Sequence, residues 1–278
     1  MIQISTDQSK EIISLPFLSS TDYSNLDVEK TLEYMVKRYI NPLKEKIDIA
    51  KSSFVDCGSG FGWLAFAYLL SGGKSATLCE IDSIRLKEAK NIAGILGLEK
   101  KCTFIDSAMQ DLKFYENEFD IFASVETLEH VGENNIDKCL NVMARATNSI
   151  IILTTPNKFF PLVIHDNKIP FSHWVPSQFR NRYTSLFGLN EKHPNDFVSP
   201  LRLKIFKNKF RPSSVTLTFA SYRDWKSSYP FCSPYNSGNR WKEKPPLVLK
   251  LLYWTLSIAF GRHCHLFAPN LCRMWIRK

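Results

Sequence analysis

Residues 54–62 read Phe54-Val55-Asp56-Cys57-Gly58-Ser59-Gly60-Phe61-Gly62: a short apolar run closes on an acid, and three glycines follow at alternate positions. Eighteen residues past Gly62, a second apolar run, Ala76-Thr77-Leu78-Cys79, closes on Glu80. Glycines let a backbone turn sharply and pass close to a ligand. An acid at the tip of the next parallel strand accepts hydrogen bonds from ribose hydroxyls. The pair predicts a nucleoside cradle at the edge of a parallel sheet.

The spacing separates two classes of nucleotide site. A dinucleotide loop is G-x-G-x-x-G, with a helix N-terminus on the pyrophosphate. Here the pattern is Asp-x-Gly-x-Gly-x-Gly, and Phe61 and Trp63 crowd the last glycine, which makes a poor phosphate cradle. Residues 102–112, from Cys102 to Leu112, read as a third strand and its loop. Residues 119–131, from Phe119 to Val131, read as a fourth strand and its exit. This ordered set, over residues 50–157, resembles the class I S-adenosylmethionine-dependent methyltransferases. The alternative is a generic Rossmann-like domain for another nucleotide.

The resemblance implies an α/β, Rossmann-like, seven-stranded and mostly parallel sheet, with helices on both faces and a C-terminal acceptor-side extension. It implies S-adenosyl-L-methionine as cofactor, with Asp56, Gly58, Gly60, Gly62 and Glu126 around it and Glu80 on the ribose. Asp106, Ala108 and Met109 would line adenine. Ala108 stands where the family often has an acid, so backbone groups near Ala108 and Met109 carry that contact.

Element periodicity agrees with such a layout. Strands are expected at 53–57, 76–80, 102–105, 120–124 and 149–154, with helices at 61–71, 83–96 and 134–146 between them. Residues 1–48 form a helical cap whose 28–47 helix Pro42 kinks or ends. Residues 49–157 form the cofactor core, and 158–278 an acceptor-side region that completes the sheet. In that last region helices are expected at 177–187 and 199–210. A sixth strand is expected at 214–220 and a last, antiparallel one at 271–276.

Charge is placed unevenly. Residues 1–156 carry 16 Lys+Arg against 22 Asp+Glu, and residues 157–278 carry 20 against 5. A basic acceptor half suits an anionic partner: an acidic or phosphorylated small molecule, an anionic membrane surface or nucleic acid. Simple solubility is the plainer account. Arg202 to Arg211 interleave cations with apolar residues, and on a helix Leu203, Phe206 and Phe210 face inward and leave the cations to solvent or to phosphate. Residues 247–260 are nearly all apolar but too few to cross a bilayer. They form a helix packed on the sheet or one lying in a membrane interface. The seven cysteines show no metal-like pairing, and the first residues lack a signal-peptide pattern. A cytoplasmic protein, or one peripheral at the inner membrane surface, is expected.

The chemistry-bearing stretch is Glu126-x-x-Glu129-His130, just past the fourth strand. If helical, these positions share one face. The stretch resembles that of ubiquinone-biosynthesis-type O-methyltransferases. It also resembles that of small-RNA 3′-terminal 2′-O-methyltransferases, which add a histidine after a T-P-N turn and bind a metal. The second likeness implies a divalent ion on Glu126, Glu129, His130 and His165 or His173; relatives without metal use the same place to order the cofactor loop. Catalytic candidates are thus His130, Glu129, His165 and His173. O-methylation of a small-molecule, glycan or lipid-linked acceptor is the expected function. The alternatives are metal-assisted RNA 2′-O-methylation, for which no appended RNA-binding module is recognisable, and non-catalytic cofactor binding.

Overall fold

Seven strands form one sheet in the order β3-β2-β1-β4-β5-β7-β6. The computed structural model describes residues 4–19, 26–160, 169, 171–188, 195–213, 247–261 and 270–278. Strands β1 (Ser53–Cys57), β2 (Ser75–Glu80), β3 (Cys102–Asp106), β4 (Phe119–Val125) and β5 (Thr147–Pro156) run parallel. Strand β7 (Asn270–Arg277) inserts antiparallel beside β5, and β6 (Phe210–Pro212) pairs antiparallel with its outer edge. The strand order reverses between β1 and β4, the switch point where open α/β sheets place their ligands.

Helices cover both faces. On one side lie α1 (Thr6–Ile13), α2 (Pro16–Ser19), α3 (Val28–Met35) and α4 (Asn41–Lys44). With α5 (Trp63–Leu70) and α6 (Ser83–Ile95), they share a core that includes Leu32, Phe54, Phe66, Tyr68 and Ile121. On the other side α7 (Glu133–Ala146) buries Ile136, Leu140 and Met143 against Val55, Phe122, Ile151 and Trp275. The central parallel strands β1, β4 and β5, buried on both faces, accordingly read as nearly continuous apolar runs.

The strands, α6 and α7 fall within a few residues of their expected positions. Residues 28–44 differ in detail: a π turn, Val36–Ile40, separates α3 from α4. There the Asn41 amide reaches back to the Val36 carbonyl, and the next residue, Pro42, has no amide to donate. The expected 199–210 helix is instead a 3₁₀ run, Arg202–Asn208, leading into β6. A 3₁₀ turn stacks positions three apart, so Leu203 and Phe206 are still buried. Pro212 fits an edge strand, where one missing donor is tolerated. The expected strand at 214–220 lies outside the described residues. Helix α8 (Ser177–Ser185) precedes Gly188, and α9 (Leu247–Phe260) takes up the apolar stretch.

Candidate active site

The turn from β1 to α5 is made by left-handed glycines. Gly58 has φ +73°, and a Cβ there would lie 2.2 Å from the Thr127 side chain, so only glycine fits. Gly60 has φ +53°, but a Cβ there would meet nothing within 4 Å. The loop thus packs tightly at Gly58 and leaves a clear face at Gly60. Its first turn is tied to β2, because the Gly58 and Ser59 amides donate to the Cys79 carbonyl at 2.8 and 3.1 Å.

Glu80, buried at the tip of β2, organises both loops. Its Oε2 accepts the Gly60 amide at 2.7 Å, and its Oε1 accepts the Ile81 and Asp82 amides at 2.9 and 3.0 Å. A carboxylate offers about four lone-pair sites, so these three donors leave one acceptor position, on Oε2, for a further donor such as a hydroxyl.

Asp56, one strand over, is buried, and burial pushes its carboxyl up to about 7, aided by the nearby Glu80 charge and opposed by the Ala65 amide. The sign of its linkage follows. The unfolded chain releases this proton near 3.8 and the folded chain keeps it to about 7, so the proton's stabilising contribution is lost as pH rises across that interval. Asp56→Asn cannot ionise. In urea unfolding at pH 5 and pH 7.5, the native protein is expected to lose stability relative to Asp56→Asn, by on the order of a few kcal/mol. A pH-independent difference would mean that Asp56 is ionised throughout.

At the end of β3, Asp106 is exposed, Ala108 half-buried, and Met109 buried at the start of a 3₁₀ turn. The Ser107 amide donates to the Glu80 carbonyl and draws this loop to the same sheet edge.

The exit of β4 corrects the expected helical E-x-x-E-H face. The Glu126 amide donates to the Thr154 carbonyl of β5 at 2.8 Å, and Glu126 takes a left-handed φ of +52°. Leu128–His130 then form a short 3₁₀ turn. These constraints turn Glu129 inward and leave His130 exposed. Burial, reinforced by the Glu126 charge and a hydrogen bond between the two carboxyls, holds the Glu129 acid well above the usual range. Thr155 Oγ1 donates to Glu129 Oε2 at 3.2 Å. The result is a carboxyl pair whose Glu129 proton is held beyond the usual range, and among the described residues no group of three His, Cys, Asp or Glu side chains stands close enough for a metal. His165 lies outside the described residues.

His173 is buried, with Nε2 3.1 Å from the Lys158 carbonyl and its ring edge-on to Phe197 at 5.0 Å. Burial lowers its pKa, and the Arg180 charge adds to this. Arg180 itself is buried and donates from Nη1 to the Asn195 carbonyl at 3.4 Å; among the described residues its Nε and the His173 Nδ1 make no hydrogen bond. The following amide, that of Asp196, donates to the Glu129 carbonyl at 3.0 Å. Arg180 and Thr127 are the residues that sequence reasoning missed. Thr127 is a small residue between two acids, legible only once Gly58 is packed on it. Arg180 is one cation in a run of several, and nothing local marks it as buried.

Comparison with known proteins agrees with this geometry. Residues 54–149 match a family model described as a methyltransferase domain. A solved structure of the PH0226 protein from Pyrococcus horikoshii OT3 superposes with a TM-score of 0.52 at 14% identity, over 72% of this chain and 89% of that one. A Galdieria sulphuraria protein provisionally assigned as a sarcosine dimethylglycine methyltransferase gives 0.51 at 14%, over 90% and 86%. At such identities the likeness is one of fold. No curated protein matches the chain in sequence.

Proposed function

We propose that this chain, a class I S-adenosylmethionine-dependent methyltransferase by its matched domain and its sheet, methylates a hydroxyl on a small-molecule, glycan or lipid-linked acceptor that carries an anionic group. When bound, S-adenosylmethionine supplies an electrophilic methyl group on a sulfonium. Gly60 leaves its backbone open to that ligand, Glu80 offers the ribose its spare acceptor site, and Ala108 and Met109 flank adenine. Asp56 lies where a cationic ligand would favour its ionised form.

The observation that carries the oxygen-acceptor reading is the Glu126–Glu129 pair at the β4 exit. A hydroxyl must lose its proton as it is methylated, and a carboxyl pair that already shares one proton can take up another at Glu126. Arg180, reached from Glu129 through the 195–196 backbone, supports an anionic group on the acceptor. The RNA alternative needs a free basic ladder after Ser199. Two of its five cations are instead tied to acids, Arg202 to Glu133 at 2.6 Å and Lys209 to Glu116 at 2.7 Å, which leaves Lys204, Lys207 and Arg211 exposed.

The test is transfer of labelled methyl from S-adenosylmethionine into separate lipid, glycan, acidic small-molecule and RNA pools. Label is expected in an alkali-stable ether in one of the first three. Label in RNA alone, or cofactor binding with transfer to none, would replace this reading.

A further inference from the structure

Helix α9 is nearly all apolar, and an apolar helix of this kind is normally buried in a core or in lipid. Here one face of it is open to solvent. Leu247, Leu251, Trp254 and Ile258 fall at i, i+4, i+7 and i+11, a single stripe, and all four are exposed, from 52% for Trp254 to 69% for Leu247. Phe260 and Ala259 extend the exposed surface at the C-terminal end. Scattered exposed leucines need no explanation, but a contiguous stripe with a tryptophan at its middle does.

Length and charge select what covers it. Fourteen residues at about 1.5 Å each make a helix of roughly 21 Å, short of the ~30 Å hydrocarbon core. Among the described residues no helix is long and apolar enough to cross a membrane. Residues 240–262, the helix and its neighbours in sequence, carry five Lys+Arg, namely Arg240, Lys242, Lys244, Lys250 and Arg262, against one acid, Glu243. In a two-fold contact between copies, these cations would be brought against one another. An anionic headgroup layer over acyl chains satisfies the stripe and the cations together.

We infer that α9 lies in the plane of an anionic bilayer surface, with the Leu247-Leu251-Trp254-Ile258 stripe inserted at the headgroup–acyl boundary and the flanking cations on the lipid phosphates. This assignment does not rest on the methyl-transfer reading, and its test is independent of turnover.

The test uses the full chain in flotation with vesicles of phosphatidylcholine alone and with about one third phosphatidylglycerol. The protein is expected to float with the anionic vesicles and at least ~10-fold less with the neutral ones, and raising the salt should release it. Leu251→Glu with Ile258→Glu is expected to lower anionic-vesicle binding at least ~10-fold while thermal unfolding stays unchanged, since both side chains face solvent. Brominated acyl chains should quench tryptophan emission of the native protein more than that of Trp254→Phe. Failure of the native chain to float, or flotation unaffected by the double substitution, would overturn the inference. So would a concentration-dependent dimer in sedimentation that the same substitution abolishes, because the stripe would then belong to a second copy.

Discussion

Replacing Glu80 by alanine is expected to raise the dissociation constant for S-adenosylmethionine at least ~100-fold in titration calorimetry, with the chain still folded by circular dichroism. Two losses combine. The ribose loses an ionised acceptor, and hydrogen bonds to charged groups are worth about 1.5–3 kcal/mol each. The Gly60, Ile81 and Asp82 amides also lose their common partner, so the glycine loop and the start of α6 are no longer held at one spacing. Glu80→Gln separates these effects. Its amide oxygen can still accept from Ile81 and Asp82, but its NH₂ faces the Gly60 amide, donor against donor. It should fall between native and alanine in affinity and keep most of the stability. Native affinity in Glu80→Ala would remove the ribose from this acid and place the ligand elsewhere on the sheet.

The place of Glu80 in the fold is legible in the sequence because local rules fix it: an apolar strand, an acid at its end, and a glycine turn one strand away. The same holds for Asp56, for the five parallel strands and for β7, whose pairing with β5 sets Thr154 opposite Cys272 and Thr155 opposite Leu271. What failed was local spacing where a tertiary bond overrides it. Glu126, Glu129 and His130 have helical spacing, yet the amide of Glu126 is committed to β5 and its φ is left-handed, so His130 turns to solvent while the two carboxyls stay paired. The Arg202–Asn208 run failed more gently. Its apolar positions suit an α-helix or a 3₁₀ helix, and the 3₁₀ run ends soon enough to put Phe210 on the edge of β7, where a helical residue is expected from the sequence. The stripe on α9 is visible as a run of apolar residues, but periodicity carries no information about what covers a face.

The carboxyl pair yields the second large effect. Glu126→Gln is expected to lower turnover by about 10²–10⁴-fold, the range ascribed to a positioned acid or base, with S-adenosylmethionine affinity within ~3-fold of native. Glu129 should behave differently, because burial keeps it protonated and it acts as a neutral donor to Glu126. Glutamine copies that state: its NH₂ donates to Glu126 and its oxygen accepts from Thr155 Oγ1. Glu129→Gln should therefore stay within ~10-fold of native turnover, whereas Glu129→Ala, which strands both partners, should lose at least ~100-fold. Stability provides a readout that does not depend on the acceptor. The folded pKa of Glu129 lies above that of the unfolded chain, so native stability is lost as pH rises past the usual carboxylate range towards the folded pKa. Glu129→Gln has no proton to lose, and it should gain on the native protein steadily over that interval in urea unfolding. If Glu129→Gln is as inactive as Glu129→Ala and gains no stability with pH, the proton does not reside on Glu129. The pair would then be ionised, and the task of holding the acceptor proton would pass to a group outside it.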